Sequence, residues 1–279
     1  MLIDAHTHVA SPDLIAHLDA YKRRDDYFDL LYSSPKARLA TAESLIGAMD
    51  ADGVDRAVIS GFGWCDARMC CDDNDYVIDA VRRYPSRLVG LAVVTPSDGT
   101  AAVAEIERCA AAGLRGVGEL MPDGQKFDLD DVDLLRPVAE AVAALGLVMM
   151  THTSEPVGHS YPGKGTVRAE AIVRFAGQFP DVRLICAHWG GGVPFFELMP
   201  EVKQTLRNVY YDTAASPLLY SDEVFRIGMA LAPSKVLFGT DFPLLRAGAL
   251  IDRIRRSGLS QAEEAALLGG NVARVFGLR

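Results

Sequence analysis

Eight apolar runs alternate with amphipathic segments along the whole chain, and this alternation restricts the fold more than any other feature. Each run is continuously apolar, which indicates strands buried on both faces of a parallel sheet. Eight such units in 279 residues predict a single (β/α)8 barrel domain. The predicted strands are residues 2–6, 56–60, 88–94, 114–119, 147–152, 183–188, 209–213 and 236–240.

Helices are predicted between the strands and at the end of the chain, at residues 42–51, 73–84, 99–112, 131–145, 166–179, 222–231, 247–257, 261–268 and 271–276. An open doubly wound sheet is the alternative, but it would gather its ligand residues at one switch point. Here polar residues stand at the ends of many strands. Residues 11–40, rich in Tyr and Asp, follow the first strand and would overhang that face as a lid or as a solvated helical insertion.

Composition narrows the classes of partner. The chain carries 37 acidic and 28 basic residues, a formal net charge of −9, which disfavours nucleic acid. No apolar stretch approaches the roughly 20 residues of a membrane helix, and the N-terminus lacks a secretion signal. The odd number of cysteines without framework spacing indicates free thiols and a cytoplasmic location. We expect a small-molecule substrate as the partner and leave a homo-oligomer open.

The first strand leads directly into His6 and His8. Side chains alternate faces along a strand, so these two imidazoles project together from its end. Imidazole is a common ligand for zinc and similar divalent ions. The pair therefore predicts half of a metal site.

Later strands end in residues of the same chemical kind. Glu119 ends the fourth predicted strand, His152 the fifth and His188 the sixth, and Asp241 follows the eighth. The carboxyl ends of barrel strands converge on one opening. Four of the six histidines fall at such ends, which predicts one shared site.

Several motifs resemble the amidohydrolase superfamily, in particular its amidohydrolase-2 branch: residues 6–8 (His-Thr-His), 187–192 (Ala-His-Trp-Gly-Gly-Gly), 238–243 (Phe-Gly-Thr-Asp-Phe-Pro) and the closing 270–276. The resemblance covers the whole chain and implies a TIM barrel with one or two divalent metal ions. It implies metal ligands at His6, His8 and His152. It also implies a catalytic or second-metal histidine at His188 and a catalytic acid–base at Asp241. The carboxylate of Asp241 is in addition a candidate metal ligand.

The expected ion is zinc, and the expected reaction is hydrolysis. A bound cation lowers the pKa of its water to about 7, so that hydroxide is available at neutral pH. Asp241 would take the proton of that water and pass it to the leaving group. The favoured function is therefore a metal-dependent hydrolase that cleaves an ester, lactone or amide bond in a small polar or anionic substrate.

Glu119 departs from the pattern of two-metal members of the superfamily, many of which carry a carboxylated lysine at that place. A glutamate there resembles TatD-like nucleases and hydrolases, in which it is a metal ligand; the alternative is a carboxylate that orients a histidine. Glu119 thus favours hydrolysis and leaves one or two ions open. Three other functions stay open: non-oxidative decarboxylation of an aromatic or unsaturated acid, a TatD-like deoxyribonuclease, and a metal-binding barrel without catalysis.

The loop at residues 153–166 follows His152 and places Glu155, His159, Tyr161 and Lys164 ahead of a predicted helix. Lysine and helix N-termini suit anions, so we expect these residues to bind a substrate carboxylate or phosphate. Arg246 is the second candidate for anion binding. The alternatives are a surface loop shaped by Pro and Gly, and a solvent-facing charge at a helix start.

Overall fold

Eight parallel strands close into a barrel in chain order in the computed structural model, which describes residues 1–278. The (β/α)8 architecture is confirmed, and each predicted strand overlaps an observed one. The strands are β1 (Ile3–His8), β2 (Arg56–Ser60), β3 (Leu88–Ala92), β4 (Gly116–Leu120), β5 (Val148–Thr151), β6 (Arg183–Cys186), β7 (Val209–Asp212) and β8 (Val236–Leu237).

Helices surround the barrel: α1 (Pro12–Ala16), α2 (Leu18–Lys22), α3 (Asp26–Tyr32), α4 (Ala42–Asp52), α5 (Ala67–Arg83), α6 (Thr100–Ala111), α7 (Pro122–Gln125), α8 (Val132–Ala144), α9 (Ala169–Gln178), α10 (Pro200–Thr205), α11 (Ser216–Leu219), α12 (Glu223–Leu231), α13 (Ala247–Arg256), α14 (Gln261–Ala265) and α15 (Asn271–Phe276). A short 3-10 segment lies at Pro96–Asp98 and a π-helical turn at Ala266–Gly270, and the turns of His188–Leu198 are interrupted by left-handed backbone at residues 189–192. The main error concerns α5, which begins at Ala67 rather than at residue 73. Asp66 caps it by accepting from the amides of Arg68 and Met69, a signal that precedes the helical periodicity.

Residues 11–40 contain the three short helices α1 to α3, which pack onto the barrel opening. Leu14 and Phe28 are buried there against Phe62, Trp64 and Met69, which belong to the connection between β2 and α5 and to the start of that helix. The segment is therefore a packed helical insertion with its own apolar cluster. Its role as a lid stays a prediction.

The inside of the barrel is apolar at its amino-terminal end. Val272, Val275 and Phe276 of α15 join the barrel-interior cluster that includes Ile3 and Val58. Because α15 fills this end of the barrel, the polar side chains are confined to the opposite opening, where the strands end.

The seam between β8 and β1 depends on one buried carboxylate. Asp4 is 3% exposed and accepts from the Thr240 hydroxyl at 2.6 Å, the Thr240 amide at 3.0 Å and the His6 amide at 3.2 Å. The amide of Ala5 also donates to the Phe238 carbonyl at 2.7 Å. These bonds close the barrel beside the strand that carries His6 and His8.

Two further expectations concern cysteines and membranes. All five cysteines are free thiols, as expected, at Cys65, Cys70, Cys71, Cys109 and Cys186. Across residues 1–278 we find no helix with the length and apolar character needed to cross a bilayer. The cytoplasmic location stays a prediction.

Asp4→Ala should lower the free energy of unfolding by about 2–4 kcal/mol, because it leaves the buried Thr240 hydroxyl and two amides without an acceptor. Asp4→Asn is the matched control, since it keeps an acceptor oxygen and the side-chain volume, and it should lose less. Urea denaturation of the three proteins measures both effects. Equal stability of wild type and Asp4→Ala would contradict the account of the seam.

The same carboxyl predicts a pH dependence. Burial raises the pKa of Asp4 from 3.8 to about 7. Between those two pH values the folded protein holds a proton that the unfolded chain has released, so this contribution to stability falls as pH rises. Asp4→Asn cannot titrate, so its stability relative to wild type should improve from about pH 5 to about pH 7.5. A constant difference would show that Asp4 does not titrate in this window.

Candidate active site

The end of β1 presents two imidazoles at the barrel opening. The Nδ1 of His6 donates to Asp212 at 2.8 Å, so its Nε2 faces the opening. The Nε2 of His8 lies 3.0 Å from that atom. The predicted convergence of this pair is confirmed. A carboxylate behind a histidine fixes the tautomer and raises the basicity of the ligand nitrogen.

Glu119 occupies the centre of the histidine group and is 1% exposed. Its Oε2 lies 3.4 Å from the Nε2 atoms of both His6 and His8. Its Oε1 lies 3.1 Å from the Nδ1 of His152 and 4.0 Å from the Nε2 of His188. One buried carboxylate therefore joins two histidine pairs.

The charges around Glu119 stabilise each other. Burial opposes its ionisation, but His6, His152 and His8 hold the pKa of Glu119 well below its usual range. Burial also opposes protonation of His6, but Asp212 and Glu119 raise its pKa well above the usual value. A divalent cation would replace such protons, so binding of the ion releases protons to solvent.

His152 and His188 face Glu119 from β5 and β6. The Nε2 of His152 donates to the Gly163 carbonyl at 3.0 Å, which turns Nδ1 towards Glu119. The Nδ1 of His188 donates to the Ala214 carbonyl at 3.2 Å, which leaves Nε2 facing the same carboxylate. Burial and the adjacent His152 lower the pKa of His188, which favours the neutral ring.

Two sets of three residues can each hold a cation, because the ligand atoms within each set lie within 4.8 Å of one another. The first set is His6, His8 and Glu119, and the second is Glu119, His152 and His188. Nitrogen and carboxylate donors of this kind suit borderline divalent ions. A divalent-metal site is thus supported. The specific ligand set His6, His8 and His152 stays a prediction, because the structure places His152 in the second set.

Asp241 lies at the mouth of the first set. Its Oδ1 is 3.5 Å from the Nε2 of His8 and 3.8 Å from the Nε2 of His6, and its side chain is 18% exposed. The expected geometry, with Asp241 facing the histidines across one opening, is what the structure shows. Its assignment as the acid–base stays a prediction.

Left-handed backbone marks two of these positions. The φ angle is +52° at His188 and +63° at Asp241. Side chains other than glycine rarely adopt this region, at a cost of about 1–2 kcal/mol per residue. The amide of Asp241 donates to the His6 carbonyl at 2.9 Å, and the amide of His188 donates to Asp212 at 2.9 Å. The surrounding structure thus imposes these conformations and aims both side chains at the opening.

The predicted substrate-binding residues divide between two places. In the 153–166 loop, Lys164 lies 3.1 Å from Glu155 and donates to two carbonyls, and the Tyr161 hydroxyl donates to Glu155. His159 is exposed beside the Tyr161 ring. Arg246 is ion-paired with Asp52 at 3.0 Å. The side-chain charges of Lys164 and Arg246 are therefore both balanced by carboxylates of the protein. The substrate-binding roles of all five residues stay predictions.

Sequence reasoning missed Asp212 and the aromatic wall of the opening. Asp212 ends β7, so the rule that selected the other strand ends could have found it. A small cavity beside His8 is lined by side chains that include Phe28, Tyr32 and Phe62. The aromatic content of residues 11–40 could have indicated Phe28 and Tyr32, but not Phe62, which lies after β2.

Comparison with known proteins assigns the family. The family model described as amidohydrolase matches residues 3–278. The chain belongs to the amidohydrolase family. It is 23% identical over 249 residues to gamma-resorcylate decarboxylase from Polaromonas sp., an alignment that covers 74% of this chain and 75% of that protein.

Two solved structures of 5-carboxyvanillate decarboxylases share the fold. The enzyme from Sphingomonas paucimobilis matches with a TM-score of 0.83 and 23% identity, and the match covers 100% of this chain and 99% of that one. The enzyme from Novosphingobium aromaticivorans, complexed with manganese and 4-hydroxy-3-methoxy-5-nitrobenzoic acid, matches with a TM-score of 0.82 and 18% identity, over 100% and 96% of the two chains.

These comparisons show that the preference for an ester, lactone or amide hydrolase is wrong, since all three relatives are decarboxylases. The error came from Glu119, which favoured hydrolysis by its likeness to TatD-like proteins. In the structure this carboxylate organises four histidines, and such a cluster places a cation without determining which bond breaks. Zinc is likewise not confirmed.

Glu119→Gln should lower the divalent metal content per chain, because it keeps the shape of the side chain and removes the charge shared by both sets. Glu155→Gln is the matched control, since it neutralises another buried glutamate, one that belongs to neither set, and should bind as much metal as wild type. Mass spectrometry of dialysed protein gives the metal-to-protein ratio. An unchanged ratio in Glu119→Gln would restrict Glu119 to orienting His152.

Proposed function

We propose that this protein is a metal-dependent, non-oxidative decarboxylase of an aromatic or unsaturated carboxylic acid. The observation that carries the proposal is the position of Asp241, an ionisable group at an opening with an aromatic wall on one side and the histidine–Glu119 cluster on the other. The likeness to three aromatic-acid decarboxylases supports it.

The residues around Glu119 fit a divalent cation, which His6, His8 and Glu119 would hold, with His152 and His188 completing the site or holding a second ion. When bound, the cation supplies positive charge that orients and polarises an oxygen of the substrate. Manganese is the first ion to test, because one related structure contains it. The number of ions follows from the measured ratio of metal to protein.

The reaction breaks the bond between the carboxylate carbon and the ring or vinyl carbon. The electron pair of that bond stays on the ring or vinyl carbon, which receives one proton, and carbon dioxide leaves. No oxidant or reductant is needed. Asp241 in its protonated form delivers this proton, because it is the partly exposed carboxyl at the mouth of the cluster and proton transfer requires a donor within hydrogen-bond reach.

The proposal is tested with manganese-loaded protein and a panel of hydroxylated aromatic acids. Carbon dioxide in the headspace and a product shortened by one carbon are the expected results. In deuterium oxide, one deuterium should appear at the carbon that lost the carboxylate. Cleavage of esters or lactones without release of carbon dioxide would refute the proposal.

Asp241→Asn should fold and keep most of its metal but lose about 10²–10⁴-fold in kcat, the usual worth of a positioned acid–base group. The asparagine has the size of the aspartate but carries no transferable proton. Asp222→Asn, at a surface carboxylate paired with Arg253, is the control and should retain wild-type kcat. Near-normal turnover by Asp241→Asn would remove this residue as the proton donor and make His188 the next to test.

A further inference from the structure

The cavity beside His8 is formed jointly by the barrel and the helical insertion. Phe28 and Tyr32 of α3 line one side, and Phe62, from the connection after β2, lines the other. Its volume is about 20 Å³, which is room for roughly one water molecule. The cavity can therefore admit a single small substituent of a ligand held at the cluster, but it cannot admit a ring.

Tyr32 brings an uncommitted hydrogen-bond donor to this cavity. Its ring is held against Phe28 at 4.4 Å and Phe62 at 6.3 Å between centroids. Throughout residues 1–278, its hydroxyl has no hydrogen-bond partner. Tyr32 is half-buried, so its hydroxyl can donate to water when the cavity is empty. The same hydroxyl is available to donate to a bound molecule, because no protein acceptor competes for it.

The surrounding charges keep this phenol protonated. Burial raises the pKa of Tyr32, and the carboxylates of Asp241, Glu119 and Asp73 raise it further. Tyr32 is thus a neutral donor in the wall of the cavity that His8 also lines.

Asp73 fixes the opposite wall of the cavity. It is 6% exposed, and its Oδ2 accepts from the Phe62 amide at 3.0 Å and from the Trp64 indole at 2.8 Å. These two bonds hold Phe62 against Phe28, with ring centroids 5.0 Å apart. The cavity is therefore a preformed structure with fixed walls.

We propose that Tyr32 is a specificity-determining residue, which donates a hydrogen bond to an oxygen substituent on the ring of the aromatic acid, seated in the cavity beside His8. The identity of the ligand as an aromatic acid rests on the proposed function. The cavity size, the unpaired hydroxyl and the fixed aromatic walls carry the role of Tyr32 itself.

The test compares the affinities of manganese-loaded wild type and Tyr32→Phe for benzoate and for 2-, 3- and 4-hydroxybenzoate. Isothermal titration calorimetry gives the Kd of each acid for each protein. Wild type should prefer one hydroxybenzoate over benzoate by about 10-fold or more, and Tyr32→Phe should reduce that preference by about 10-fold, the worth of one hydrogen bond. The Kd for benzoate should stay unchanged.

Tyr21→Phe is the matched control. Tyr21 belongs to the same insertion, but its hydroxyl donates to Asp13 at the surface, so this variant should keep the wild-type preference. The melting temperature of Tyr32→Phe should equal that of wild type, because its hydroxyl has no hydrogen bond to lose within the protein. A lower melting temperature with an unchanged preference would make Tyr32 a packing residue and overturn the proposal.

The remaining outcomes separate this inference from the proposed function. Equal preferences in wild type and Tyr32→Phe, or no binding of any of the four acids, would overturn the role of Tyr32. If no acid releases carbon dioxide but Tyr32→Phe abolishes the preference, the decarboxylase proposal fails and the role of Tyr32 stands. If carbon dioxide is released and Tyr32→Phe leaves the preference unchanged, the decarboxylase proposal stands and the role of Tyr32 fails.

Discussion

The buried carboxylate of Glu119 is the interaction on which the whole opening depends. An isolated ionised carboxylate in a protein interior costs several kcal/mol, yet Glu119 is ionised at 1% exposure. Imidazoles from β1, β5 and β6 offset that cost, with two at each oxygen. The cluster is thus a set of mutually dependent groups, and removal of the Glu119 charge takes away one of the two carboxylates that raise the pKa of His6.

A second group of contacts holds each imidazole in place. Asp212 fixes His6, and the carbonyls of Ala214 and Gly163 fix His188 and His152. Gly163 also accepts from the Tyr27 hydroxyl, and a Cβ on Gly163 would lie 2.5 Å from the Leu31 side chain. The helical insertion therefore packs directly on the loop that orients a histidine of the centre, which couples the wall of the opening to its chemistry.

The sequence predicts the barrel and most of this cluster because both follow from simple periodicities. Continuous apolar runs define buried parallel strands, and strand ends converge at one opening, so His6, His8, Glu119, His152 and Asp241 were found together. Tyr32 lies on a short helix whose position depends on tertiary packing, and no local pattern reports it. The reaction was not predictable for another reason: the motif places a cation, while the substrate and its proton donor determine the bond that breaks.

The anomalous diffraction of crystals grown with manganese tests the central claim most directly, because it locates each ion independently of activity. The account predicts a manganese peak within bonding distance of a Glu119 oxygen, with His6 and His8 as neighbours and Asp241 at the open side. A second peak at the other Glu119 oxygen would add His152 and His188 as ligands. Manganese bound elsewhere in the chain, with no peak at Glu119, would contradict the account.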